Sequence, residues 1–149
     1  MTLRLDEHGF EQRKATIVAM LDRVGETEVL DEGADDDERV LTATARAPLD
    51  PPYQLGSFEY VEVYARGEQG RWELTEYAYE LQQRPPPGRR AFHWHDPWAH
   101  HFHCLDPRSP ERDHHYRGYE LDLFEAHREL LRIYASGTID CSGLHLLFR

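Results

Sequence analysis

The chain has 149 residues, with a single lysine, two cysteines and no long apolar run. The two cysteines, Cys104 and Cys141, are far apart in the sequence. We therefore expect neither the disulfide framework of a small secreted domain nor a CxxC zinc site. The first ten residues, MTLRLDEHGF, lack the apolar core of a signal peptide. No stretch approaches the ~20 apolar residues of a membrane span. These absences predict a cytoplasmic protein with no membrane partner.

The negative charge is unevenly distributed along the chain. The formal net charge of −11 argues against nucleic acid as a partner, because like charges repel over the range that salt leaves unscreened. Residues 26–38 contain eight acids and no base, which predicts an acidic, mobile loop. Residues 84–117 contain six arginines, four acids and seven of the ten histidines. This segment is net positive, so nucleic-acid binding stays open.

Hydrophobic periodicity predicts a single α+β domain. Apolar residues at helical spacing predict an N-terminal helix over residues 10–24 and a C-terminal helix over residues 119–135, which Gly137 would end. Between them we expect an antiparallel sheet of about five strands. These strands are predicted at residues 39–47, 57–65, 71–82, 91–95 and 99–104. The segment RPPPGRR, residues 84–90, is predicted to be a stiff connector, because proline donates no hydrogen bond to a sheet.

Histidines are concentrated in the last two predicted strands. Alternate residues of a strand share a face, so His93 and His95 point the same way, as do His101 and His103. If His95 pairs with His101, all four line one surface. If His95 pairs with His100 instead, the two sets separate and His100 joins the first.

Four interpretations of these histidines remain open. They could be surface or packing residues. They could hold Zn²⁺ or another transition metal, for which His93, His95, His101 and His103 are the candidates, with Asp96 or Cys104 nearby. They could be general acids and bases acting on a phosphodiester without a metal. They could form a pH-sensing or partner-binding surface.

Acid and base chemistry on RNA is the favoured interpretation. One imidazole would remove the proton of a 2′-hydroxyl and another would protonate the leaving oxygen, since the pKa of histidine lies near neutrality. Arg89, Arg90, Arg112 and Arg117 would hold phosphate. Trp94 and Trp98 would stack on single-stranded bases.

The order of four motifs resembles one family of small toxins. EYVEV, YAYELQ, FHWHDPWAHH and DHHYR occur in this order over residues 57–117. They are similar to the EYVEV-like, YRYHYQ-like, FRYDNAPHH and PHHKH motifs of the TumE family of prokaryotic toxin–antitoxin systems. Glu59, Tyr60, Asp96, His100, His101, His114 and His115 match family positions. The chain departs from the pattern at Glu80 and His93, where the family has histidine and arginine, at Arg117, which replaces the last histidine, and at an inserted residue, taken as His95.

The resemblance implies a cytoplasmic toxin with a cognate antitoxin as its partner. We expect RNA as the substrate and no cofactor, while a homo-oligomer stays open. Asp96 would orient an imidazole, and Glu59 and Tyr60 would face the same cleft. The pool of acids and bases is predicted to be His93, His95, His100, His101, His114 and His115. The whole hypothesis requires these rings to converge in one place.

Overall fold

One antiparallel sheet of eight strands organises the part of the chain that the computed structural model describes, residues 2–48, 55–84, 87–109, 113–118 and 120–142, without the side chains of residues 47, 48, 55, 113 and 114. The α-helices and strands in chain order are β1 (Arg4–Leu5), α1 (Glu7–Asp22), β2 (Glu26–Glu32), β3 (Glu38–Pro48), β4 (Leu55–Arg66), β5 (Trp72–Arg84), β6 (Gly88–His95), β7 (Ala99–Leu105), β8 (Asp113–Arg117) and α2 (Leu123–Ser136), with one turn of 3-10 helix (Glu68–Gly70) between β4 and β5. Strands β2 to β8 lie side by side in sequence order, and β1 pairs with β5. The predicted α+β class is confirmed, but the predicted five strands omit β1, β2 and β8.

Both helices begin at an aspartate that satisfies free backbone N–H groups. The carboxylate of Asp6 accepts a 2.7 Å hydrogen bond from Gly9 N at the start of α1. Asp122 and Glu125 form a reciprocal capping box at the start of α2. Gly137 ends α2 in the left-handed conformation, with φ 83°, as its position predicted. Neither described helix is long and apolar enough to cross a membrane.

The two helices pack on the same face of the sheet, here called the helix face. The ring of Phe10 in α1 meets Tyr64 edge to face at 5.1 Å, and Tyr134 in α2 meets Phe58 at 5.6 Å. Alternate residues of each strand therefore point into the core. The buried side chains on this face include Phe58, Tyr60, Tyr64, Tyr79, Phe92 and Phe102. The opposite face, here called the open face, takes the residues between them.

A buried ion pair lies between α1 and the helix face. Arg13 donates hydrogen bonds to the carboxylate of Glu62, the shortest at 2.7 Å, and the Glu62 side chain is fully buried. The hydroxyl of Tyr79 donates a further hydrogen bond to Glu62 at 3.0 Å. Burial alone would lower the pKa of Arg13, but the hydrogen bonds to Glu62 outweigh it and raise the pKa. The buried carboxylate therefore has a cation and a hydroxyl as partners.

The acidic segment 26–38, predicted as a mobile loop, instead contains β2 and the turn into β3. Every residue of β2 pairs with β3, and alternate residues are half-buried. Asp31 is one of these, and it accepts hydrogen bonds of 2.8 Å from Arg39 and 3.0 Å from Lys14. The hydrogen bond from Arg39 lowers the pKa of Asp31 even though burial opposes it. The other acids of β2 point to solvent. An edge strand can carry such a run of charged residues and still pair with its one neighbour, β3.

The predicted connector 84–90 is shorter in the structure. Arg84 ends β5, Gly88 begins β6, and residues 85–86 lie outside the described part. Arg89 and Arg90 are therefore strand residues, paired with Gln82 and Leu81.

A disulfide joins Cys104 in β7 to Cys141 after α2, with 5.8 Å between the Cα atoms. Two isolated cysteines carry no spacing signal for such a bond, which the fold creates by bringing residues 37 positions apart together. Beside it, Asp106 accepts hydrogen bonds from Arg108 and from Cys141 N at 3.3 Å. The contact with Arg108 holds the pKa of Asp106 well below its usual range. These contacts attach the end of β7 to the segment that follows α2.

Candidate functional site

Strands β6 and β7 place four histidines on the open face. The register pairs His93 with His101 and His103 with Ala91, while His95 pairs with Ala99. Residues at these positions share one face because their spacing along each strand is two. The observed register is neither of the two expected from the sequence. His95 pairs with a residue two positions before His101, so the loop between the strands is two residues shorter than expected. A shift of two residues does not change which face a side chain points to, so all four rings line one surface.

Strand β8 adds a fifth imidazole to this surface. His115 pairs with His103, and the centroids of the two rings are 4.6 Å apart. The ring of His115 also lies 4.7 Å from that of His101. The histidine cluster consists of His93, His95, His101, His103 and His115. Of the six histidines predicted as acids and bases, His93, His95, His101 and His115 therefore lie together here, and His103, which was predicted only as a metal ligand, joins them.

The cluster has a buried centre and a solvent-accessible rim. His101 is 3% exposed and contacts the other four rings at centroid distances of 4.7 to 5.3 Å. His93 is also buried, at 8%. His95 and His103 are half-buried, and His115 is exposed. A substrate in solvent can therefore reach His95, His103 and His115, whereas the rings of His93 and His101 are buried beneath them.

Glu80 on the neighbouring strand β5 fixes the buried ring of His93. Nε2 of His93 lies 2.7 Å from Oε1 of Glu80, which also accepts a hydrogen bond from Arg89. Gln82 donates to the other carboxylate oxygen at 3.0 Å. Burial raises the pKa of Glu80, but the hydrogen bonds from His93 and Arg89 outweigh it and lower the pKa to about 2. The carboxylate is ionised, so Nε2 of His93 carries the hydrogen and Nδ1 keeps a lone pair.

Backbone carbonyls fix two further rings. Nδ1 of His101 lies 2.9 Å from the Ala99 carbonyl, and Nδ1 of His95 lies 2.9 Å from the Asp96 carbonyl. A carbonyl only accepts, so each Nδ1 donates, and Nε2 keeps the lone pair. Burial lowers the pKa of His101, an effect that the hydrogen bond to Ala99 partly opposes. Nε2 of His101 is buried and has no hydrogen-bond partner among the described residues.

Two groups of three histidines bring their ring nitrogens close enough to share one ion. In each group the donor atoms lie within 4.8 Å of one another. The first group is His93, His95 and His101, and the second is His101, His103 and His115. Cys104, expected as a possible ligand, is buried on the helix face and bonded to Cys141. Asp96 contributes its carbonyl to His95 rather than its carboxylate to any described ring.

Basic and aromatic side chains border the cluster. Arg89 contacts Glu80 and lies 3.3 Å from Nε2 of His93. Arg117 pairs with His101 in the register of β7 and β8, which places it on the open face next to the cluster. Trp98, in the turn between β6 and β7, is 59% exposed and meets the ring of His115 edge to face at 5.1 Å. Glu59 pairs with Glu80 and so lies on the same face, one strand further away.

Other predicted site residues lie on the helix face. His100 stacks on Trp94 at 5.2 Å, and its Nδ1 is 3.0 Å from the Tyr77 hydroxyl. Burial lowers the pKa of His100. These three rings line a cavity of about 420 Å³ between the sheet and the start of α2. The structure therefore does not bring His100 or Trp94 to the histidine cluster, because each is one position out of phase with it.

Tyr60 and Arg90 are also core residues rather than site residues. The hydroxyl of Tyr60 is 2.7 Å from Nδ1 of His127 in α2. The guanidinium of Arg90 is fully buried between the rings of Phe92 and Phe102, at 4.7 and 4.6 Å from their centroids. Arg112 lies outside the described residues. His114 pairs with Cys104 in β8, and its side chain also lies outside the described part.

Glu80 and Gln82 are the site residues that sequence reasoning missed. The motif comparison marks Glu80 only as a departure from a family histidine. A usable signal was present in the alternation of β5, since Tyr77, Tyr79 and Leu81 are apolar and buried. The residues between them must point to the opposite face, where the histidines lie.

Comparison with protein-family models finds no match to this chain, and comparisons with curated proteins and solved structures find no significant match.

Proposed function

We propose that this protein is a TumE-like toxin that cleaves RNA on the open face of its sheet. The observation that carries the proposal is the convergence of five imidazoles from β6, β7 and β8 on one surface that solvent reaches. The order of motifs over residues 57–117 supports the family and, with it, a cognate antitoxin as partner.

The rim histidines supply the acid and the base. His95, His103 and His115 reach solvent, and histidine is the side chain best suited to act as either an acid or a base near neutral pH. One ring takes the proton of a 2′-hydroxyl as its oxygen forms a bond to phosphorus. A second, protonated ring gives its proton to the 5′-oxygen as the bond from phosphorus to that oxygen breaks. The products are a 2′,3′-cyclic phosphate and a 5′-hydroxyl, and no net proton is consumed.

Arginine and tryptophan side chains support binding of the strand. Arg89 and Arg117 border the cluster and carry charge that would attract phosphate and stabilise the pentavalent transition state. The exposed indole of Trp98 offers a stacking surface for an unpaired base. This local charge acts against the overall charge of −11, so binding is expected to be short-ranged and to weaken with salt.

An RNA-cleavage assay with two substrates tests the proposal. Purified protein is incubated with a single-stranded RNA and with the same strand carrying 2′-deoxyribose throughout. We expect cleavage of the RNA only, and a loss of about 10²–10⁴-fold in rate for the double variant His103→Ala and His115→Ala. His8→Ala is the matched control, because His8 is exposed on α1 and away from the cluster.

Three results would overturn the proposal. The first is cleavage of the deoxyribose strand at the same rate, which removes the 2′-hydroxyl from the chemistry. The second is absence of RNA cleavage. The third is cleavage that persists in the double variant while its circular dichroism spectrum shows a folded protein. A parallel growth assay, with expression in the absence of any antitoxin, should show arrest that the double variant relieves.

A further inference from the structure

We infer that His93, His95 and His101 form a binding site for one divalent transition-metal ion of the zinc class. This site goes beyond the proposed cleavage of RNA, because it joins the two buried rings to His95, leaves His103 and His115 for the acid and the base, and can be tested without a substrate. The three rings come from two adjacent strands, and their donor nitrogens lie within 4.8 Å of one another.

The hydrogen bonds around the three rings leave one lone pair on each. His93 donates through Nε2 to Glu80, which leaves Nδ1. His95 and His101 donate through Nδ1 to the carbonyls of Asp96 and Ala99, which leaves Nε2 on both rings. Metal-binding histidines characteristically donate their other N–H to a carboxylate or a backbone carbonyl, which fixes the ring and raises its basicity. All three rings have such a partner.

The buried nitrogen of His101 is the second observation that indicates a ligand. His101 is 97% buried, and its Nε2 has no hydrogen-bond partner among the described residues. A buried polar atom left without a partner destabilises the folded protein. A cation coordinated by this nitrogen would remove that destabilisation, whereas a surface cluster of histidines kept for solubility would not bury the nitrogen.

The donor set selects the class of metal. Neutral imidazoles suit Zn²⁺, Co²⁺, Ni²⁺ and Cu²⁺, whereas Mg²⁺ and Ca²⁺ require oxygen ligands. With Zn–N distances of about 2.0–2.1 Å, tetrahedral donors lie about 3.4 Å apart, so the three nitrogens move closer together when they bind the ion. Three protein ligands leave the fourth position to water.

We assign the ion to the first group of histidines rather than the second because hydrogen bonds orient all three of its rings. His101 belongs to both groups, so one ion at this ring excludes a second on the same nitrogen. His115 is exposed, and its described ring contacts are with other aromatic residues. A site that holds metal tightly needs ligands that are oriented before binding, and Glu80 and two carbonyls provide this for all three rings of the first group.

Metal titration of the full chain tests the site. The protein is produced without a histidine tag, stripped with a chelator, and titrated with Zn²⁺ by calorimetry and with Co²⁺ by visible absorption. We expect one tight equivalent and the absorption of a tetrahedral Co²⁺ centre. His95→Ala is the main variant because this half-buried ring tolerates removal, and it should weaken binding at least 100-fold. His101→Ala should do the same.

Three further variants locate the ion. Glu80→Gln keeps all ligands and should weaken binding about 10–100-fold through loss of the carboxylate behind His93. His115→Ala and His8→Ala should leave the tight equivalent unchanged. Loss of the equivalent in His115→Ala together with retention in His95→Ala overturns the assignment, as does absence of any tight equivalent. RNA cleavage in chelator is scored separately, so a failure of the metal site and a failure of the proposed function are distinguished.

Discussion

Nε2 of His93 lies 2.7 Å from Oε1 of Glu80, and both side chains are buried on the face of the sheet that the helices leave open. Arg89 contacts the same carboxylate oxygen. The carboxylate therefore connects the basic border of the cluster to its buried centre. Its loss would leave a guanidinium and an imidazole facing each other, 3.3 Å apart.

Replacement of Glu80 with glutamine should destabilise the protein. The amide is neutral, so Arg89 loses its ion pair and His93 loses its strongest acceptor. We expect the free energy of unfolding to fall by about 2–4 kcal/mol, as measured by urea denaturation at pH 7. Glu59→Gln is the matched control, because Glu59 pairs with Glu80 across the sheet but is half-buried. Equal losses for both variants would contradict the role of Glu80.

The buried pair of Arg13 and Glu62 predicts a strongly non-additive double mutant. Arg13→Met alone leaves the fully buried carboxylate of Glu62 without its cation, and should cost about 3–5 kcal/mol. The double variant Arg13→Met and Glu62→Gln removes the uncompensated charge and should recover part of that loss. Thermal or urea unfolding of Arg13→Met, Glu62→Gln and the double variant measures the coupling. A double variant less stable than Arg13→Met would count against this account.

His127 should make the stability of the protein depend on pH. Burial lowers the pKa of His127 in the folded state, and the positive charge of Arg23 adds to the effect. The unfolded chain therefore binds a proton first as the pH falls, and the folded state loses stability below about pH 6.5. His127→Gln removes this site, so stability should fall less between pH 7.5 and pH 5 in urea titrations.

The slope should become smaller in His127→Gln without disappearing. Burial also lowers the pKa of His100 and of His101, so both add to the loss of stability over the same range of pH. His8→Gln, which alters an exposed ring, serves as the reference. An identical slope in wild type and in His127→Gln would show that His127 does not contribute.

Reduction of the disulfide should lower stability without changing the fold. Cys104 and Cys141 are 37 residues apart, and a closed loop of this length restricts the unfolded chain by about 4 kcal/mol in the chain-entropy treatment. The double variant Cys104→Ser and Cys141→Ser should show a loss up to this size and no further response to a reductant. A wild-type protein whose unfolding midpoint is unaffected by reductant would contradict the prediction.

The positions of the histidines show which features of the site strand periodicity can predict. Alternation alone predicts that His93 and His95 share a face, and that His101 and His103 do. Whether the two pairs meet depends on the turn between the strands. This turn spans residues 96–98, and Ala99, which follows it, has a φ of 54°. The sequence of the segment does not fix the length of the loop between the two strands, so the register is predicted only as two alternatives.

The errors at β2 and β8 have a common physical cause. Both are edge strands, and an edge strand needs only one neighbour and little apolar surface. The acids of residues 26–32 and the charged residues of 113–117 are typical of loops, yet each segment pairs along its whole length with one neighbour. The stabilising partners, such as Arg39 for Asp31, lie elsewhere in the chain and become visible only after folding.

The interleaving of β6 and β7 constrains how this protein can diverge. His93 directly follows Phe92, and His101 and His103 alternate with Phe102 and Cys104, so each imidazole adjoins a core residue in the sequence. A deletion of one codon within either strand would exchange the two sets, so that rings now in the core would meet water and imidazoles would enter the core. Descendants of this chain can therefore vary their imidazoles by substitution, while the spacing of both strands is held by selection on the core.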